Sequence, residues 1–172
     1  ITAVGFELYT QLMEKAIKEL KGEEVIEEIT PEIHFHLPAF IPEFYVEEPA
    51  ERLNLYRRLS LSRSDKEVET IRDELVDRFG KIPLEVEHLL EVIQVKILLT
   101  RLSVRKFEET PAQMVLTFDE TTRVSPQKIV EFVHRGEGQY RLTPDSKLVV
   151  KGWPDMRKDP FEAAKKLLQA LA

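Results

Sequence analysis

Glu74-Leu75-Val76-Asp77-Arg78-Phe79-Gly80-Lys81-Ile82-Pro83 closes one helix, turns, and opens the next. Upstream of it, Val68, Ile71, Leu75 and Phe79 recur at helical spacing and mark one buried stripe. Ser64 followed by Glu67 is a capping box, so this helix is expected to start near Asp65. Gly80 stands where a left-handed residue stops a helix, and Pro83 suits the first turn of the following one. The pattern predicts an αα-hairpin.

The polar side of the first helix is less ordinary. At about 100° per residue, Asp73, Glu74 and Asp77 fall together on the face away from Leu75. Acids in a last turn oppose the helix dipole, each forgoing roughly 0.3–1 kcal/mol that a cation would contribute there. Asp73 and Asp77 are also like charges four residues apart, which adds a small repulsion that Arg78 offsets in part. By charge pattern alone this is a solvated face; the alternative is an acidic docking surface for a basic partner.

The rest of the chain bounds the answer. Its 172 residues suffice for one good-sized domain or two small ones, and 42% hydrophobic with 33% charged residues is a globular composition. A net charge of −6 gives no global attraction to phosphate backbones or anionic membranes. There is no cysteine, hence no disulfide, thiol nucleophile or thiolate metal site, which fits a cytoplasmic protein. No apolar run approaches the roughly 18 residues of a membrane span, and no signal peptide is recognisable. The start Ile1-Thr2-Ala3-Val4 lacks methionine and reads as a piece of something longer.

Phe6, Tyr9, Leu12, Met13, Ala16, Ile17 and Leu20 predict an amphipathic helix to about Lys21, stopped by Gly22. Glu23, Glu24, Glu27 and Glu28 make an acidic linker. Pro31, Pro38, Pro42 and Pro49 keep the next segment extended, with a short strand over Ile33–Leu37. His34 and His36 would leave one face of that strand, but a zinc site needs more ligands than these, so they read as exposed strand histidines. Ala50–Leu61 is expected to be helical. Pro83 to about Leu102 carries the widest apolar stripe, through Val86, Leu89, Leu90, Ile93, Ile97 and Leu98.

After Leu102 the period changes from 3.6 to 2. Val104–Phe107 and Met114–Phe118 predict two strands around Thr110-Pro111-Ala112. Ser125-Pro126 starts a helix that ends at Gly136, Tyr140–Leu142 and Leu148–Val150 predict two more strands, and Asp159-Pro160 starts a last helix. The fold class is α+β: a helical first half with a central αα-hairpin, then a small, mostly antiparallel sheet with helices.

Chemistry is hard to find. The six glycines never form a phosphate loop, no serine sits in an elbow motif, and neither His88 nor His134 pairs with an acid and a nucleophile in a recognisable order. Arg101, Arg105, Lys106 and Arg123 form a weak basic cluster without aromatic interleaving.

The order of motifs says more. Val4-Gly5-Phe6-Glu7-Leu8-Tyr9, then Phe40-Ile41-Pro42, Arg52-Leu53-x-x-Tyr56-Arg57-Arg58 and Glu74-Leu75-x-Asp77-Arg78-Phe79-Gly80-x-x-Pro83 together resemble one family across almost the whole chain. It is similar to the C-terminal domain of the bacterial transcription-repair coupling factor, an ATP-driven DNA translocase that displaces stalled RNA polymerase. Two places depart from the family pattern: Leu102-Ser103-Val104 stands where a Leu-Gly-Ile turn is usual, and His34-x-His36 is not typical.

The resemblance implies that residues 1–30 are a connector helix and linker from the end of a translocase module, and residues 31–172 a regulatory domain. It implies no catalysis and no cofactor here, since ATP and magnesium belong to translocase modules absent from this chain. The expected partner is the N-terminal, excision-repair-like module of the same protein, where docking masks the surface that recruits UvrA. RNA polymerase, UvrA and DNA are expected to meet the parent protein through other domains, without a membrane and in the cytoplasm. Asp73, Glu74 and Asp77 then become the partner-binding residues, a reading that comes from the resemblance and not from their spacing. The alternative is an accessory nucleic-acid-binding module of the same translocase, which the charge balance argues against.

Overall fold

The structure is a computed structural model; it describes Leu12, Met13, Ala16, Ile17, Leu20 and residues 29–172. Those first five residues are helical and exposed; the rest of the helix expected from Phe6 to Lys21, and the acidic linker after it, lie outside the described residues. From Thr30 onward the fold is α+β, with five helices and a five-stranded sheet. The chain divides into two compact units, one taking in Ala39–Ile93 and the other Glu28–Pro38 with Gln94–Ala172.

The first unit is helical. α1 (Pro49–Ser60) buries Leu55 and Leu59, with Pro49 preset for its first turn. α2 (Asp65–Phe79) starts at Ser64, whose side chain accepts from the Glu67 N–H, and buries Val68, Ile71 and Leu75. Gly80 ends it, its N–H donating to Val76 O at 3.0 Å. Its φ of 85° is positive as expected, but its ψ of −157° is not that of a left-handed helical cap. α3 (Leu84–Leu102) completes the hairpin. No residue from Glu85 to Thr100 is exposed, because Val95 and Leu99 are fully buried beside the expected stripe. The unit boundary falls within this helix.

The second unit holds the sheet, in the order β1-β2-β3-β5-β4. β2 (Val104–Glu109) and β3 (Gln113–Phe118) form the expected hairpin, closed by the Thr110 N–H on Gln113 O at 2.9 Å. β5 (Lys147–Lys151) pairs antiparallel with β3 and with β4 (Tyr140–Leu142). β1 is shorter than expected, Glu32–His34, and pairs in parallel with β2. α4 (Pro126–Arg135) and α5 (Pro160–Leu171) begin as expected, with the Ser125 and Asp159 side chains accepting from the N–H groups of Lys128 and Glu162. They and the second half of α3 share one core with Phe107, Met114, Leu116, Leu148 and Val150.

The register explains the two histidines. Phe107 faces Leu116 and Glu109 faces Met114, so Glu109 projects on the core side and its side chain is 1% exposed. His36 satisfies it: the backbone N–H donates to Oε2 at 3.2 Å, and Nδ1 lies 2.7 Å from Oε1. His34 instead meets Glu32 at 2.8 Å. The chain leaves the sheet after His34, so the pair does not share a strand face.

Candidate functional site

The three acids expected to act together lie on the last two turns of α2, but they do not share one environment. Asp73 and Asp77 are exposed, and among the described residues no ion pair reaches either. Glu74 is one third exposed and turned toward α1, where it pairs with Arg58. Arg78 lies 3.9 Å from Glu74 and 2.8 Å from Glu51, so two acids and two arginines tie the end of α2 to α1. The Glu51 hydrogen bond, first among the causes, pushes the Arg78 guanidinium above its ordinary pKa. The guanidinium also stacks 4.8 Å from the centre of the Phe79 ring.

The helix end is therefore held by charges of both signs, and only Asp73 and Asp77 project free carboxylates. Sequence spacing could not separate them. Arg58 lies sixteen residues before Glu74, and its role depends on how α1 packs, which periodicity does not report.

Below this face the hairpin is locked from inside. The Tyr45 hydroxyl lies 2.9 Å from Gly80 O and 3.1 Å from Leu75 O, its one proton shared between the two carbonyls. Burial, then the nearby Glu87 charge, raises the Tyr45 pKa, so the phenol stays a donor through the physiological range. Arg72 on α2 reaches Glu87 on α3 at 2.7 Å, a hydrogen bond that raises the arginine pKa. The carboxylates thus stand on a rigid support, as a recognition surface requires.

Four large apolar side chains at the same end of this unit are open to solvent: Phe40, Phe44, Val76 and Leu84. The hydrophobic stripe missed them because Val76 is off it and the phenylalanines lie in a proline-rich loop. Among the described residues no group of three or more His, Asp or Glu could hold a metal ion. None of the described helices is long and apolar enough to cross a membrane.

The chain matches the family model of the TRCF domain over residues 35–129. It is 36% identical to the transcription-repair-coupling factor of Myxococcus xanthus, over all of this chain and 14% of that protein. It is 30% identical to the Bacillus subtilis factor over 86% of this chain, and 29% to the Escherichia coli (strain K12) factor over 84%. The chain spans about one seventh of the length of these curated relatives. Its fold resembles a crystal structure of the C-terminal domain of a transcription-repair coupling factor, with a TM-score of 0.69, 21% identity, and 86% of this chain and 95% of that one covered.

Proposed function

Because the chain belongs to the transcription-repair-coupling factor family, we propose that it is a regulatory domain without catalysis of its own, docking on the N-terminal module of the full-length protein. Docking masks the surface that recruits UvrA, and release exposes it. ATP hydrolysis with magnesium, DNA translocation and the RNA polymerase contact belong to other modules, in the cytoplasm. The observation that carries the docking site is the placement of Asp73 and Asp77: two carboxylates without an ion pair among the described residues, at a helix end where the dipole disfavours them. Such acids are tolerated where a basic partner gives back more than the roughly 0.3–1 kcal/mol of unfavourable dipole energy. Glu74 sits beside them, available to a partner guanidinium through its remaining lone pairs while it holds Arg58.

The test is calorimetric affinity between this chain and the N-terminal module, wild type against Asp73→Arg with Asp77→Arg. The reversal is expected to weaken binding by several kcal/mol if the pairs are desolvated and by under about one if they stay on the rim. Equal affinities overturn the proposal.

A further inference from the structure

Val76 and Leu84 face solvent at the closed end of the hairpin, and we infer that with Phe40 and Phe44 they are the apolar anchors of a surface that docks a basic protein module. This deepens the docking reading above and rests on it. The Arg72–Glu87 pair sets the register of the two antiparallel helices. One turn nearer the loop on each, the same faces carry Val76 on α2 and Leu84 on α3. They are 50% and 67% exposed. The preceding loop is pinned to this end: the Phe40 N–H donates to Glu85 O at 3.2 Å, and Tyr45 holds the carbonyls of Leu75 and Gly80. Phe40 and Phe44 on that loop are 45% and 74% exposed. A single exposed apolar residue is ordinary, but four at one end of one unit are the kind of patch that marks a protein interface.

Charge selects the occupant. Asp73 and Asp77 flank Val76, and Glu43 and Glu47 flank Phe44. None of these four carboxylates has an ion pair among the described residues, and Lys81 in the turn is the nearest cation in sequence to Asp77 that is likewise unpaired. An acidic rim repels nucleic acid and anionic lipid and fits a protein face on which arginines or lysines surround an apolar hollow. The two kinds of residue then do different work. Buried apolar anchors set how long the complex lasts, whereas rim charges set how fast it forms and how salt affects it.

Association and dissociation rates of this chain on the immobilised N-terminal module test the division. Phe44→Ser with Leu84→Ser is expected to raise the dissociation rate at least about tenfold and to leave the association rate within about twofold. Asp73→Asn with Asp77→Asn is expected to slow association and flatten its salt dependence, with dissociation little changed. All four positions are exposed, and matched thermal melts confirm that each variant is folded; Val76→Thr, which keeps shape and loses a methyl, supplies an independent anchor variant. Wild-type dissociation rates in the anchor variants overturn this inference and leave the docking proposal standing. A wild-type chain that does not bind the module overturns the docking reading and this inference with it.

Discussion

Glu74 on α2 is paired with Arg58 on α1, so a residue expected to face a partner also joins two helices of its own unit. The consequence is a stability difference inside the acidic trio. Glu74→Gln is expected to lower the stability of the chain by about 0.2–1 kcal/mol, the range for a partly exposed pair. Asp77→Asn is expected to leave it unchanged or slightly higher, since it relieves dipole and like-charge repulsion. Glu74→Arg, which dipole reasoning alone would call harmless, would face Arg58 and Arg78 and is expected to destabilise. Urea titrations of the three variants check this, and a Glu74→Arg chain as stable as wild type would contradict the pairing.

Gly80 has a φ of 85° with a ψ of −157°, a conformation essentially confined to glycine. A Cβ there would meet nothing within 4 Å, so the cost of substitution is backbone strain alone. Gly80→Ala is expected to cost about 1–3 kcal/mol. Gly80→Asn is expected to cost as much, because asparagine's tolerance of the left-handed helical region does not extend to this ψ. Rescue by asparagine in thermal unfolding would show that the turn is an ordinary left-handed cap.

Ser103 is the counterpart of Gly80: a residue with a side chain at a φ of 53°, where the chain turns from α3 into β2. Its N–H donates to Thr100 O at 3.2 Å and its carbonyl accepts from the Asp119 N–H at 3.4 Å, so the conformation is held from both sides. Glycine adopts it without the Cβ conflict, and gains more from that than it loses to unfolded-state entropy. Ser103→Gly is expected to raise stability by a few tenths to about 1 kcal/mol. A melting temperature that falls would show that the serine side chain compensates the strain.

Most of the architecture was readable because its signals are local. Ser64, Ser125 and Asp159 each cap a helix within three residues, and Thr110-Pro111-Ala112 closes a hairpin between neighbouring strands. What escaped depends on partners far along the chain. The parallel pairing of Ile33 with Phe107 is invisible to periodicity, and so is the burial of Glu109, which follows from which face of β2 packs on the core. The candidate site divides the same way. Asp73 and Asp77 were legible as an unusual acidic helix end, whereas the engagement of Glu74 by Arg58 and the exposure of Phe44 and Leu84 needed the packed unit.

Lys96 makes stability depend on pH in the alkaline range. It is half-buried on α3, and desolvation of its ammonium lowers its pKa from 10.5 to about 8. Between those two values the unfolded chain holds the proton and the folded chain releases it. Unfolding therefore takes up a proton, and stability from this group rises as pH increases through that window. Below it the folded state carries a cation that burial disfavours. Lys96→Met is accordingly expected to exceed wild type in stability at neutral pH by on the order of 1 kcal/mol. That advantage should shrink as pH approaches 10.5, where the wild-type lysine is neutral in the folded state. Tyr45 and Tyr140, whose pKa values burial raises, titrate in both chains and cancel in the difference. Paired denaturant titrations across this range decide it: an advantage that stays constant with pH would mean that Lys96 keeps its proton and that the methionine acts through packing alone.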